Sequence, residues 1–208
     1  PIWRTKEIFD CNSKINVIFA KKGNKIIGFV SRTILMIEFG KHIDLLTGLY
    51  KNDYIFYNAH KLVKWNEIST IFIDLNNFGQ INKIYGHTNG DTILKIIAKI
   101  LKENISADTY LSRFGGDEFI VLTPWCIDKS KILAEKLINK IEKYNFPNAM
   151  PVSVSIGITG CKILNNKIEN IITFLDKTIN LASLASTRAK KNNDSSIDMH
   201  FINITEIA

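Results

Sequence analysis

Apolar residues recur along the chain in two rhythms, and the switches between them mark out the elements. Ser69-Thr70-Ile71-Phe72-Ile73-Asp74-Leu75 is a continuous apolar, β-branched run, the pattern of a buried strand rather than a half-exposed one. Helical spacing governs Asn52 to Trp65 (Tyr54, Ile55, Ala59, Leu62, Val63) and Asp91 to Glu103 (Ile93, Leu94, Ile97, Ala98, Leu101). Between the strand and the second helix, a polar stretch holding Gly79, Gly86 and Gly90 reads as a turn. Thr109 to Phe114 and Glu118 to Thr123 are strands joined by the tight Gly115-Gly116-Asp117 turn, a strong hairpin signal. A helix from Asp128 to Tyr144, a strand Val152 to Thr159, a helix from about Glu169 to Lys190 and a strand Ile197 to Ile204 follow. Strands joined by a hairpin exclude a purely parallel sheet, so an α/β (α+β) fold with a mixed sheet covered by helices is expected over residues 44–208.

The first 43 residues have a different texture. A short helix around Thr5 to Asp10, strands Asn16 to Ala20 and Lys25 to Ser31 around a Lys22-Gly23-Asn24 turn, and a helix from Thr33 make a strand-hairpin-helix unit. Val17-Ile18-Phe19-Ala20 and Ile26-Ile27-Gly28-Phe29-Val30-Ser31-Arg32 resemble the second half of a CBS repeat, a regulatory module. Half a module buries its own sheet poorly, and a partial CBS-like piece and a generic linker segment both remain open. Because the chain opens on Pro1 rather than Met, further upstream sequence is expected.

Composition narrows the partners. With 46% hydrophobic and 23% charged residues the chain can bury an ordinary core, which excludes disorder. The net charge of +7 would suit an anionic ligand, but the lysines are scattered at helix-surface spacing without an aromatic-basic stripe, so no nucleic-acid partner is expected. Cys11, Cys126 and Cys161 form neither a disulfide framework nor a zinc motif, in keeping with a reducing cytoplasm. The longest apolar stretch, Ile26 to Phe39, is interrupted by Arg32 and Glu38 and is too short to cross a bilayer.

Candidate chemistry gathers at two acidic positions. Asp74 closes a buried strand, where an unpaired carboxylate is costly unless it holds a cation or a strong donor; a strand-end cap is the alternative. Asp117-Glu118 sits at a hairpin tip after Gly115 and Gly116, which permit left-handed dihedrals and close approach of a ligand, although an ordinary exposed turn needs only one glycine. If the two strands are neighbours, Asp74 and Asp117 converge in the oxygen-rich arrangement that Mg²⁺ requires.

Several motifs in order then resemble the GGDEF family of diguanylate cyclases: Asp44-Leu45-Leu46-Thr47-Gly48-Leu49, Asp74-Leu75-Asn76-Asn77-Phe78, Asn82 followed by Gly86-His87-Thr88-Asn89-Gly90-Asp91, Arg113-Phe114-Gly115-Gly116-Asp117-Glu118-Phe119, and Val154-Ser155-Ile156-Gly157-Ile158. The resemblance implies a mainly antiparallel, palm-like nucleotidyl-cyclase sheet. It also implies condensation of two GTP into cyclic di-GMP and two pyrophosphates across a homodimer. Asp74, Asp117 and Glu118 would be catalytic, and with the Leu75 carbonyl they would hold Mg²⁺, with Mn²⁺ as a substitute. Asn82 and Asp91 would read guanine, while Phe78, Gly115, Gly116 and Lys190 would line the rest of the nucleotide.

The chain also departs from the family pattern. Gly79 replaces a phosphate-contacting Lys, Asn76 replaces the second acid of its motif, and the C-terminal signature is eroded. One alignment makes Lys190 the phosphate lysine and leaves Asp194 where Arg is usual, with Arg188 or Lys191 as substitutes; another puts Ser183 at the Lys position. Product inhibition is not expected, since Ser106 and Thr109 stand where the family carries RxxD. An alternative role follows from these losses: GTP binding without turnover, regulating a neighbour such as an upstream sensory or EAL phosphodiesterase domain.

Overall fold

The computed structural model describes residues 2–62, 66–163, 168, 170–192 and 196–203. The chain divides into two compact units, Pro1–Ile43 and Asp44–Ala208.

In the first unit, helix α1 (Ile2–Cys11) and helix α2 (Arg32–Gly40) flank an antiparallel hairpin of β1 (Val17–Lys22) and β2 (Lys25–Ser31). Trp3, Phe9, Leu35 and Phe39 form its small core, with the Trp3 and Phe39 rings edge to face at 4.7 Å. Ser31 caps α2 by accepting from the Ile34 amide. Arg32 donates to the carbonyls of Phe9, Asn12, Ser13 and Ile15 and lies over the Phe9 ring, fastening α1 to the hairpin. Phe19, Ile27 and Phe29 on the hairpin are exposed.

The second unit is built on β3 (Tyr50–Lys51), β4 (Glu67–Leu75), β5 (Tyr110–Gly115), β6 (Glu118–Thr123), β7 (Val154–Lys162) and β8 (Ile197–Asn203). Their order is β3-β5-β6-β4-β7-β8. The inner pairings β5–β6, β6–β4 and β4–β7 are antiparallel, and the outer pairings β3–β5 and β7–β8 are parallel. This is the mixed, mainly antiparallel sheet expected. Strand alternation sends Ile71, Ile73, Phe119, Val121, Ile156 and Ile158 to one face, beneath α5 (His87–Asn104) and α6 (Ile127–Glu142). The opposite face carries Ile68, Phe72, Ile120 and Leu122 beneath α3 (Asp53–Leu62) and α7 (Ile171–Lys191). Asp74, two residues beyond Phe72, and Glu118, two before Ile120, therefore share the α7 face.

Helix α7 lies tight against β7. A Cβ on Gly157 would fall 1.9 Å from the Ala182 carbonyl oxygen and 2.3 Å from the Ser186 amide. Ala182, Ala185, Ser186 and Ala189 form the small-residue stripe that makes this approach possible.

The region after β4 corrects the sequence expectation. The stretch read as a turn is the helix α4 (Phe78–Tyr85), and α5 begins at His87 rather than Asp91. Polar and glycine residues hid the apolar spacing of Phe78, Ile81 and Tyr85, which pack on the core. Only Gly86, at φ +85, breaks the helix; Gly90 is helical and buried. The two-residue β3 was also missed, and the start placed at Glu169 falls outside the described residues, as do Trp65, Asp194 and Ile204.

An ionic joint sets the hairpin. Arg113 donates to Asp44 Oδ1 at 2.9 Å and, through Nε at 3.0 Å and Nη2 at 2.5 Å, to the Gly116 carbonyl. Asp44 also accepts from the Thr47 amide and hydroxyl, closing the turn at residues 44–49. Burial alone would raise the Asp44 pKa, but hydrogen bonds from Thr47 and Arg113 and the Arg113 charge bring it below 3.8.

Gly157→Ala should destabilise the second unit by about 3 kcal/mol in chemical denaturation, because backbone must move, whereas Gly79→Ala, with nothing within 4 Å, should be neutral or stabilising by up to about 1 kcal/mol. Because the folded Asp44 pKa is depressed, its contribution is present above 3.8 and lost as pH falls through the lower folded value. The stability gap between wild type and Asp44→Asn should therefore be full at neutral pH and close in acid, as measured by urea titrations over a pH series.

Candidate active site

At the ends of β4 and β6, backbone pairing does the positioning. Asp74 lies directly opposite Glu118 in the antiparallel register, and the Leu75 amide donates to the Asp117 carbonyl at 3.3 Å. All three acids are thereby gathered at one edge of the sheet. Gly116, at φ +42, takes the left-handed conformation the turn needs, whereas Gly115 has an ordinary φ and matters for the open space beside it.

The fourth member arrives from α7. Lys190 Nζ stands 2.5 Å from Asp74 Oδ1 and 3.4 Å from the Leu75 carbonyl oxygen. Ser183 lies two turns earlier on the same helix, so Lys190 is the residue of the two alternatives that contacts the acids. Arg188 is turned away and pairs with Asp198, with Nε 2.5 Å from the carboxylate. Gly79 lies in the first turn of α4 and offers no side chain.

The local electrostatics are strained toward a cation. Burial raises the Asp74 pKa, with the Asp117 charge adding to it, and Lys190 only partly offsets them. Glu118 is raised first by burial and then by the charges of Asp74 and Asp117. Carboxylates held above their usual range by desolvation and mutual repulsion, with a backbone carbonyl on the same side, suit a hard, oxygen-seeking cation. Among the described residues no group of three or more acidic, His or Cys side chains is placed to hold a metal ion by side chains alone. The cation now answering Asp74 is Lys190.

At the α4–α5 corner the Asn82 side chain lies against Gly90, the neighbour of Asp91 in the chain. The Asn82 Oδ1 atom is buried without a hydrogen-bond partner among the described residues. It lies where a Cβ on Gly90 would be, 1.9 Å away, so glycine beside Asp91 is what admits it. Phe78 Cζ borders the same spot at 3.2 Å from that Cβ position, and its ring packs partly on the core. Asp91 itself is exposed.

Asn76 points elsewhere. It donates to Ser153 Oγ at 3.0 Å and accepts from Ser155 Oγ at 2.9 Å, tying the end of β4 to the entry of β7. An Asp here could accept but not donate, so the amide suits this bridge. Arg113 and Asp44 have no role legible in the residue pattern beyond their place in motifs. Arg113 and Asp44 lie 69 residues apart, and periodicity carries no signal for their pairing.

Comparison with known proteins supplies the kinship. The family described as "Diguanylate cyclase, GGDEF domain" matches residues 41–191. Diguanylate cyclase DgcS of Shewanella oneidensis is 29% identical over 153 residues, covering 71% of this chain and 51% of DgcS. Diguanylate cyclase DosC of Escherichia coli K12 is 30% identical over 129 residues, covering 60% of this chain and 28% of DosC. The chain thus spans about half or less of the length of these relatives. The coiled-coil and GGDEF domain of DgcB from Caulobacter crescentus, solved in complex with c-di-GMP, superposes with a TM-score of 0.67 at 13% identity, covering 80% of this chain and 90% of that one. With the family match spanning most of the chain and the sheet order and acidic turn in place, this protein belongs to the diguanylate cyclase GGDEF-domain family.

Proposed function

We propose that this domain is a diguanylate cyclase that condenses two GTP molecules into cyclic di-GMP and two pyrophosphates as a homodimer. The observation that carries this reading is the convergence of Asp74, Asp117, Glu118, Lys190 and the Leu75 carbonyl at one edge of the sheet. GTP is the substrate the family implies, and the family is generally dependent on a divalent metal. Mg²⁺ or Mn²⁺ would be held by Asp74, Asp117 and the Leu75 carbonyl, with Glu118 alongside. There it would supply charge neutralisation at the phosphates and lower the pKa of the ribose hydroxyl.

The chain's own groups do the remainder. The buried acceptor of Asn82 matches an N–H donor of guanine, and the Asp91 carboxylate accepts from N1–H and N2–H, which adenine cannot offer. Gly115 and Gly116 leave room for the α-phosphate and ribose. Lys190, beside Asp74 at the end of α7, would pair with the phosphates. In each half-reaction one 3′-oxygen bonds to the α-phosphorus of the facing GTP, the α–β phosphoanhydride breaks, pyrophosphate departs, and Glu118 or solvent takes the hydroxyl proton. One GTP per protomer makes the second copy necessary, since each half-site lacks the other's nucleophile.

GTP binding without turnover is the weaker reading, because DgcS and DosC are named cyclases and the acidic centre keeps Asp74, Asp117 and Glu118 despite Gly79. No helix among the described residues is long and apolar enough to cross a membrane. A cytoplasmic setting, where GTP is abundant, and an upstream sensory or EAL domain complete the proposal.

Purified protein given GTP and Mg²⁺ should yield cyclic di-GMP by liquid chromatography, and a chelator should stop it until Mg²⁺ or Mn²⁺ is restored. Asp117→Ala should lower turnover on the order of 100-fold or more. Asn82→Ala should act mainly on KM for GTP, raising it about tenfold. No product from wild type at high protein concentration, with GTP still bound, would sink the cyclase reading in favour of the regulatory one.

A further inference from the structure

We propose that Lys190 is a built-in counter-cation that occupies the divalent-metal position and yields it only when nucleotide phosphates draw it away. The inference rests on the proposed function for the identity of the metal ligands. Lys190 Nζ approaches Asp74 Oδ1 at 2.5 Å and the Leu75 carbonyl oxygen at 3.4 Å, the two oxygens on β4 that a divalent cation would use. An ammonium and a dication cannot share them: beside the same oxygens the double charge of the metal repels the ammonium more strongly than the single charge of Asp74 attracts it.

The surroundings let the side chain move while the helix stays. Ala189 is buried, and Ser186 and Ala182 are packed on Gly157, so the backbone of α7 is fixed up to the residue before Lys190. The Lys190 side chain is 31% exposed, with its flexible stem free to turn toward the cleft. A triphosphate presents more negative charge than Asp74 does and is the stronger partner for the ammonium. Nucleotide and metal binding then favour one another, because the same Lys190 movement serves both. A metal without nucleotide would have to expel Lys190 into water with no new partner.

The test is Mn²⁺ binding in the absence of nucleotide, read from the free-ion electron paramagnetic resonance signal. Lys190→Met should bind Mn²⁺ about tenfold more tightly than wild type, and Lys190→Arg, which keeps the charge, should stay as weak as wild type. Lys191→Met removes the same charge from the same helix end and should leave the affinity near the wild-type value. A Lys190→Met affinity equal to that of wild type or of Lys191→Met overturns the proposal. A lysine with only a structural role would lower metal binding when removed, not raise it. Circular dichroism checks folding; should Lys190→Met misfold, Lys190→Gln replaces it with the same expected gain and the same overturning result. The measurement uses no GTP, so a protein that makes no cyclic di-GMP yet shows the Lys190→Met gain loses the cyclase function and keeps the counter-cation. The converse result does the reverse.

Discussion

The close approach of α7 to β7 at Gly157 is the constraint on which the site depends. A Cβ there would collide with the Ala182 and Ser186 backbone, so any other residue would lift the helix off the sheet. The displacement would propagate along the rigid helix to its last turn, where Lys190 meets Asp74. Packing deep in the fold thus fixes an electrostatic contact at the rim. Strand parity supplies the other half: Phe72, Ile120 and Leu122 face α7, and the same alternation delivers Asp74 and Glu118 to that side.

Charge is then arranged against its own comfort. Three acids share a partly buried edge, and two of them, Asp74 and Glu118, have raised pKa values because burial and neighbouring charge disfavour ionisation. Such a cluster costs folding stability unless a cation answers it. Lys190 gives that answer in the protein alone, and a divalent cation with a triphosphate gives it in the proposed reaction. Arg113 keeps the glycine turn in place by donating to both the Gly116 carbonyl and the Asp44 carboxylate.

Much of this was legible before the structure. The uninterrupted β-branched run of β4 and the Gly115-Gly116 turn gave the central strand and hairpin, and a buried strand ending in Asp74 already asked for a cation, a strong donor or a capping role. The α4 helix was hidden because Asn77, Gly79, Asn82 and Gly86 all speak for a turn, and only tertiary packing of Phe78, Ile81 and Tyr85 overrules them. Gly90 was legible as a glycine but not as the residue that admits the Asn82 side chain. The contact of Lys190 with Asp74 spans 116 residues and depends on how α7 crosses the sheet, which local pattern does not encode. The choice between Lys190 and Ser183 could not be made from spacing for the same reason.

The most direct measurement is a crystal structure with a non-hydrolysable GTP analogue and Mn²⁺, with anomalous scattering used to place the metal. The expected map shows manganese bound by Asp74, Asp117 and the Leu75 carbonyl, guanine against Asn82 and Asp91, and Lys190 moved from Asp74 to a phosphate. Nucleotide seated with the Lys190–Asp74 pair intact and no manganese at these oxygens would contradict the assignment of this edge as the catalytic centre.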